Sequence, residues 1–323
     1  MKTRIFFTLV ALLLCYSVKA QETSISSPDG RIALTVDTGS DLNYRISFDG
    51  ETIVGQSPLG FEFVGEESMI RGFVLTEQPN VRIMSEEWIP VVKNKHDKVH
   101  SVWNEVTLKL QEKGNLRRKM DIEVKVFNGG AAFRYHLYDD HRLVTREISQ
   151  EKTGFCLPEG THAWVADYEG HVTSQEKEFF KTAVSGIKSE TVVALPLLAE
   201  VGSQKWLAIT EAHIDNYPGF FLGAKDGCLM TMLSPVPGYE NVKARFDDEI
   251  VTPWRVVLIG DNPGQFIESE IIRTLNPPCA IEDTEWIKPG LCAWDHWWSG
   301  EVKMEMGVIK EYIDLAAAHG WPY

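Results

Sequence analysis

The 323 residues, 44% hydrophobic and 24% charged, have an ordinary globular composition and a length suited to roughly two domains. The formal charge of −14 at pH 7 becomes about −17 once the first twenty residues, with three basic groups and no acids, are set aside. Such a surface excludes nucleic acid and anionic lipid as natural partners and suits neutral ligands and divalent cations.

Residues 1–20 have the form of a secretory signal. Lys2 and Arg4 make a charged start, Ile5 to Cys15 an apolar core, and Val18-Lys19-Ala20 a cleavage site ending in a small residue. The apolar run is shorter than the ~20 residues a membrane span requires. The leucines before Cys15 lack the small residues of a lipoprotein site. The expected location is therefore outside the cytoplasm, periplasmic or secreted, with no transmembrane span.

From Ser27 onward the pattern is short alternating runs separated by turns. Pro28-Asp29-Gly30 turns into Arg31 to Val36. Leu42 to Phe48 is followed by Asp49-Gly50, a strong hairpin signal, and then by Glu51 to Val54. Leu59 to Val64 and Gly72 to Thr76 continue the series. Val99 to Gln111 is longer and has Leu116 to Phe127 as its expected partner, after which Asn128-Gly129-Gly130 turns into Ala131 to Leu137. Thr191 to Ala199, Trp206 to Thr210, Cys228 to Leu233 and Trp254 to Ile259 are further strands. Together they predict a large antiparallel sandwich over residues 21–276. Gly264 to Leu275 reads as one helix with Phe266, Ile267, Ile271, Ile272 and Leu275 on one side, ended by Pro277-Pro278.

Residues 277–285 read as a connector. Residues 286–323 then change character. Trp286 to Gly290 leads into the short apolar run Leu291-Cys292-Ala293, an aromatic loop Trp294-Asp295-His296-Trp297-Trp298, and an amphipathic helix from Val302 to His319 stopped by Gly320. Strand, loop and helix in this order predict the first βα unit of a parallel α/β domain, cut short. Four cysteines follow the signal: Cys156, Cys228, Cys279 and Cys292. Their wide spacing supports no zinc site, and buried free thiols are the expectation.

Among polar groups, Trp294, Asp295 and Trp297 lie just after a predicted strand, where loops build the sites of barrel enzymes. Tryptophan faces stack on sugar rings. Glu169, Glu176 and Glu178 put three carboxylates within ten residues, the donor type of a hard cation such as calcium. Solvated charged turns are commoner than calcium sites. His100, His136 and His213 have no partners at fixed spacing and read as structural.

Several stretches carry a family resemblance: Ser27-Pro28-Asp29-Gly30, Ser57-Pro58-Leu59-Gly60, Trp103-Asn104-Glu105-Val106, Phe127 to Tyr135, Thr210-Glu211-Ala212 with Tyr217, Thr252-Pro253-Trp254-Arg255, Leu275 to Cys279, Trp286 to Gly290 and Tyr312 to Gly320. In this order they resemble the N-terminal part of glycoside hydrolase family 97, exo-acting α-glucosidases and α-galactosidases. The resemblance implies a mainly β fold: an antiparallel β-supersandwich, similar to galactose mutarotase, followed by the first βα unit of a truncated (β/α)8 barrel. It implies an α-glucosidase-type hydrolase of terminal α-linked sugars, with oligosaccharide or polysaccharide-derived substrates. The catalytic carboxylates of the family belong to later barrel segments, so none is assigned here and the chain is expected to be inactive alone. Gln175-Glu176 matches a family calcium ligand from the sandwich, which makes Glu176 the expected metal residue and Ca2+ the expected cofactor of the intact enzyme. The Trp294-Asp295 loop matches the start of the barrel cleft. Where the family often has Trp-Asp-Trp-Trp, this chain has a histidine inserted at position 296, which leaves sugar specificity open. Two other readings compete with α-glucosidase besides α-galactosidase. One is a carbohydrate-binding sandwich module. The other is an aldose epimerase, with His136 or His171 and Glu176 as acid and base.

Overall fold

The computed structural model describes residues 22–92, 95–138, 145–202, 204–294 and 304–323. In chain order the strands are β1 (Glu22–Ser26), β2 (Ile32–Asp37), β3 (Asn43–Phe48), β4 (Glu51–Pro58), β5 (Phe61–Phe63), β6 (Phe73–Leu75), β7 (Arg82–Trp88) and β8 (Val99–Glu112). Next come β9 (Lys119–Phe127), β10 (Gly130–Tyr138), β11 (Arg146–Glu151), β12 (Gly154–Phe155), β13 (His162–Val165), β14 (Asp167–Tyr168), β15 (Phe180–Ala183) and β16 (Val192–Val193). The last are β17 (Leu197–Val201), β18 (Lys205–Ala212), β19 (Phe220–Lys225), β20 (Cys228–Leu233), β21 (Ala244–Phe246), β22 (Glu249–Val251) and β23 (Trp254–Gly260). Helices α1 (Gly264–Glu268), α2 (Ile271–Thr274) and α3 (Met306–His319) follow. The protein is mainly β, as the alternating runs predict.

Asp49 and Gly50 both take positive φ, 52° and 79°, so this pair makes the mirror-image turn that suits the twist of a hairpin. It closes β3 onto β4 in a four-stranded sheet of order β1-β2-β3-β4. An eleven-stranded sheet has the main order β15-β13-β17-β18-β23-β10-β9-β8-β6, with β22 on β10 and β7 on β8. A five-stranded sheet, β12-β20-β19-β16-β14, and a three-stranded one, β21-β11-β5, complete the set.

Strand alternation separates the two faces of the large sheet. Ile122, Val124, Phe133, Tyr135, Leu207, Ile209, Val257 and Ile259 point inward, where they join Leu34, Tyr44, Ile46 and Phe48 of the four-stranded sheet in one buried core. This is a sandwich packed through two inner faces. The opposite face carries Trp103, Phe127, Trp254, Val256 and Leu258, covered in part by Ile271 and Leu275.

Four details depart from the sequence expectation. Residues 264–275 form two short helices, because Ser269 is extended (ψ 133°) and separates them. Its hydroxyl accepts from the Ile271 backbone N–H at 3.4 Å, and the break leaves Ile267 exposed while Ile271 and Leu275 are buried. The run Thr191–Ala199 splits into β16 and β17 around a cis Leu195–Pro196 peptide. Cys156 and Cys228 form a disulfide, and Cys279 and Cys292 are exposed rather than buried.

The fourth departure is at the end of the chain. The helix α3 forms and stops at Gly320 in the left-handed conformation, but Leu291–Ala293 is no strand. A parallel strand is held by its neighbours. Here the segment bonds to the chain terminus instead, with Ala293 N–H donating to the Tyr323 carbonyl at 3.0 Å.

Two compact units divide the described chain. One holds the described residues of 22–86 and 101–276, the other those of 87–100 and 277–323. Among the described residues, no helix is long and apolar enough to cross a membrane.

Candidate functional site

Two polar constellations stand out in the sandwich, one exposed and one buried. The exposed one is the loop that leaves β14. Gln175 sits at φ 56°, and its carbonyl accepts from the Tyr168 hydroxyl at 2.7 Å. Its N–H donates to Thr173 Oγ1 at 3.0 Å. These bonds fix the backbone immediately before Glu176, whose side chain is exposed, as are those of Glu169 and Glu178. His171, in the same loop, packs its ring against Phe221 at 5.3 Å and buries Nδ1 with no hydrogen-bond partner among the described residues. Burial, and secondarily Lys243, push its pKa down, which favours the neutral ring.

Calcium takes six to eight oxygens. Among the described residues no group of three or more Asp, Glu, His or Cys is arranged to hold a metal ion. Glu176 presents one exposed carboxylate on a loop whose backbone is held by Tyr168 and Thr173.

The remaining expected site residues fall elsewhere. Trp294 is 55% exposed, while Asp295 and Trp297 lie outside the described residues. His136 is bonded through Nε2 to Glu249 at 2.9 Å and stacks on Tyr138 at 4.1 Å. His213 Nδ1 lies 3.4 Å from Arg134. Among the described residues, no hydrogen bond or ion pair joins Glu176 to His136 or His171.

The buried constellation was not anticipated as a unit. Arg255 and Glu151 are both fully buried. Two parallel bonds join them, Nε to Oε1 at 2.8 Å and Nη2 to Oε2 at 2.6 Å. Arg255 Nη1 also donates to Glu211 Oε2 at 2.9 Å. The Tyr217 hydroxyl donates to Glu151 Oε2 at 3.0 Å, the Thr153 hydroxyl donates to Glu151 Oε1 at 2.7 Å, and Tyr135 completes the chain at 2.7 Å from Thr153. Phe220 lies under the guanidinium at 4.4 Å.

A buried charge persists only when paired and hydrogen-bonded, and this arrangement satisfies that condition with planar, bidentate geometry. Burial acts to lower the Arg255 pKa, but Glu151 outweighs it and holds the guanidinium above its ordinary value. Glu211 is pushed up by burial, against the pull of Arg255. Burial raises the pKa of Tyr217 and Tyr135. The network ties β10, β11, β18 and β23 together in the middle of the core. It is a structural pin rather than a substrate site, since its central pair has no access to solvent. One sequence signal for it exists: Arg255 is the lone charge in the otherwise apolar run Trp254–Ile259.

Comparison with known proteins places these features. A family model described as glycosyl-hydrolase 97 N-terminal matches residues 25–278. The retaining α-galactosidase of Bacteroides thetaiotaomicron is 27% identical over 360 aligned residues, covering 99% of this chain and 52% of that protein. The probable retaining α-galactosidase of Streptomyces bingchenggensis is 27% identical, covering 92% of this chain and 44% of that protein. A glycoside hydrolase family 97 enzyme of Pseudoalteromonas sp., solved with panose, superposes with a TM-score of 0.82 at 26% identity, over 93% of this chain and 46% of that one. The chain thus spans about half the length of the relatives it matches. With the family model covering most of the chain, and with motifs in family order across the sandwich, the chain belongs to glycosyl hydrolase family 97, of which residues 25–278 are the N-terminal part.

Proposed function

We propose that this chain is the N-terminal portion of an exported, exo-acting α-glycoside hydrolase, and that terminal α-galactosides are its first candidate substrates. The observation that carries the reading is the family match over residues 25–278, together with two curated relatives that are α-galactosidases. These two relatives support putting α-galactoside ahead of the α-glucoside expectation. Panose and acarbose, bound to a family enzyme of Pseudoalteromonas sp., keep α-glucosides as the comparison substrate. Residues 1–20 would direct export and be removed.

Hydrolysis of a glycosidic bond needs two carboxyl groups flanking it, about 5 Å apart for retention and about 6.5–9.5 Å apart for inversion. In this reading that pair belongs to the barrel beyond the aligned half, and the sandwich contributes support. Glu176 would give one oxygen to a calcium ion shared with the barrel, where the ion would supply positive charge beside the reacting sugar. Trp294, Asp295 and Trp297 would line the entrance, with the indole faces available for stacking.

The test uses a version extended to the length of the relatives, assayed on 4-nitrophenyl α-galactoside and α-glucoside. Turnover of either supports the reading, and turnover of neither by a folded, calcium-loaded protein overturns it. In the same protein Glu176→Gln should weaken calcium binding measured by calorimetry, with activity partly restored by excess calcium. An unchanged titration would remove Glu176 from the metal site. The 323-residue chain alone should show no turnover.

A further inference from the structure

Beside the Glu176 loop, residues of β13, of its hydrogen-bonded neighbour β15, of β14 and of the segment 186–191 line an open cleft of about 510 Å3. That size lies within the range of about 300–1,000 Å3 typical of small-molecule sites. Its wall includes Asp167, Tyr168, Glu169, Lys177, Phe180 and Thr191. Three features of this wall point to one class of ligand. First, Phe180 is 46% exposed although it lines a concavity, so an aromatic ring stands available on a polar wall. Second, Asp167, Glu169 and Lys177 make no hydrogen bond or ion pair among the described residues, while most charged side chains of the sandwich do. Third, the cleft mixes acids with Lys177 and Lys188, which disfavours a strongly charged ligand of either sign. An exposed ring surrounded by unused donors and acceptors of both kinds suits a molecule with apolar C–H faces and many hydroxyls.

We propose that this cleft binds a neutral oligosaccharide, independently of the catalytic half. The inference rests on the α-glycosidase reading only for the choice of sugar. The ring of Phe180 stacks on one sugar face, and Asp167, Glu169 and Lys177 bond its hydroxyls. Tyr168 forms part of the wall and holds the Gln175 carbonyl at 2.7 Å, so cleft and Glu176 loop share one anchored support.

The experiment is a titration of the 323-residue chain with maltotriose and with raffinose, followed by saturation-transfer NMR and calorimetry. Saturable binding of at least one sugar is expected, weakened about tenfold or more by Phe180→Ala, the loss of one aromatic stack. Phe179→Ala is the control, since Phe179 is 54% exposed but does not line the cleft. A double Glu169→Gln, Lys177→Met variant provides a second probe on exposed side chains that leaves the fold intact. Failure of both sugars to bind overturns the proposal, as does binding that survives both the Phe180→Ala and the double variant. Neither result touches the hydrolysis assay on the extended protein, so the two readings fail separately.

Discussion

Replacing Arg255 with methionine should be among the most damaging single changes to the sandwich. Methionine fills much of the same volume, so the effect isolates charge and hydrogen bonding from packing. The substitution removes two bonds to Glu151 and one to Glu211, and it leaves a carboxylate with no solvent access. Breaking a buried pair from one side costs about 3–5 kcal/mol, a large share of the ~5–15 kcal/mol that holds a domain folded. Urea unfolding followed by tryptophan fluorescence should show a lower midpoint with an unchanged slope. Adding Glu151→Gln to this variant should recover at least half of the loss, because the neutral amide oxygen still accepts from Tyr217 while its NH2 can donate to Thr153, whose hydroxyl turns to donate to Tyr135. A loss below about 1 kcal/mol, or no recovery in the double variant, would refute the view that an uncompensated buried charge is the cause.

Three further outcomes are expected. Substituting both Cys156 and Cys228 by serine should lower the thermal midpoint, since the bridge closes a loop with a separation of 72 residues, worth about 4 kcal/mol in the chain-entropy model; an unchanged midpoint by calorimetry would count against the bridge. Asp121→Asn should stabilise the protein at pH 7 relative to pH 4. Burial raises the pKa of this carboxyl despite the Tyr138 hydroxyl, so its contribution is favourable below the unfolded value near 3.9 and is lost as pH rises through the folded one; equal differences at both pH values would refute this. Gly60→Ala should destabilise by about 2 kcal/mol or more, because Gly60 has φ 126° and an added Cβ would collide with the Met69 carbonyl oxygen; a urea midpoint like that of the parent would contradict it.

The sandwich was legible in the sequence where alternation and turn chemistry agree. Asp49-Gly50 emerges as the turn of a hairpin, the runs Arg31–Val36 and Val99–Gln111 emerge as strands, and the latter pairs with the run ending at Phe127 as expected. Legibility failed where a local signal needed a distant partner. Arg255 stands out in its strand, but nothing local names Glu151, over one hundred residues earlier. The β18–β23 register sets Glu211 opposite Arg255, and only that register explains why the charge is tolerated. Cys156 and Cys228 meet through the same kind of long-range pairing, β12 on β20. In Gly264–Leu275 the helical periodicity was present, yet Ser269 broke it, because a hydroxyl near a helix start competes with the backbone ladder. Glu176 was readable as an acid in a polar loop. Its anchoring through Tyr168 and Gln175 was not, since a positive φ at glutamine leaves no trace in composition.

The last strand of the sandwich is also its middle one. β23 lies between β18 and β10, so until residue 260 is available the large sheet consists of two separate ribbons. Each ribbon ends in an open, apolar edge of the kind that recruits other chains. Closing the gap joins Phe133 to Arg255 and Thr210 to Val256, and the first of these contacts spans more than a hundred residues of chain. Topologies dominated by such contacts mature slowly. For a chain that we propose is exported, the delay is useful. The domain cannot lock shut while it is still being threaded, and it becomes self-sufficient only after almost all of its own sequence has crossed.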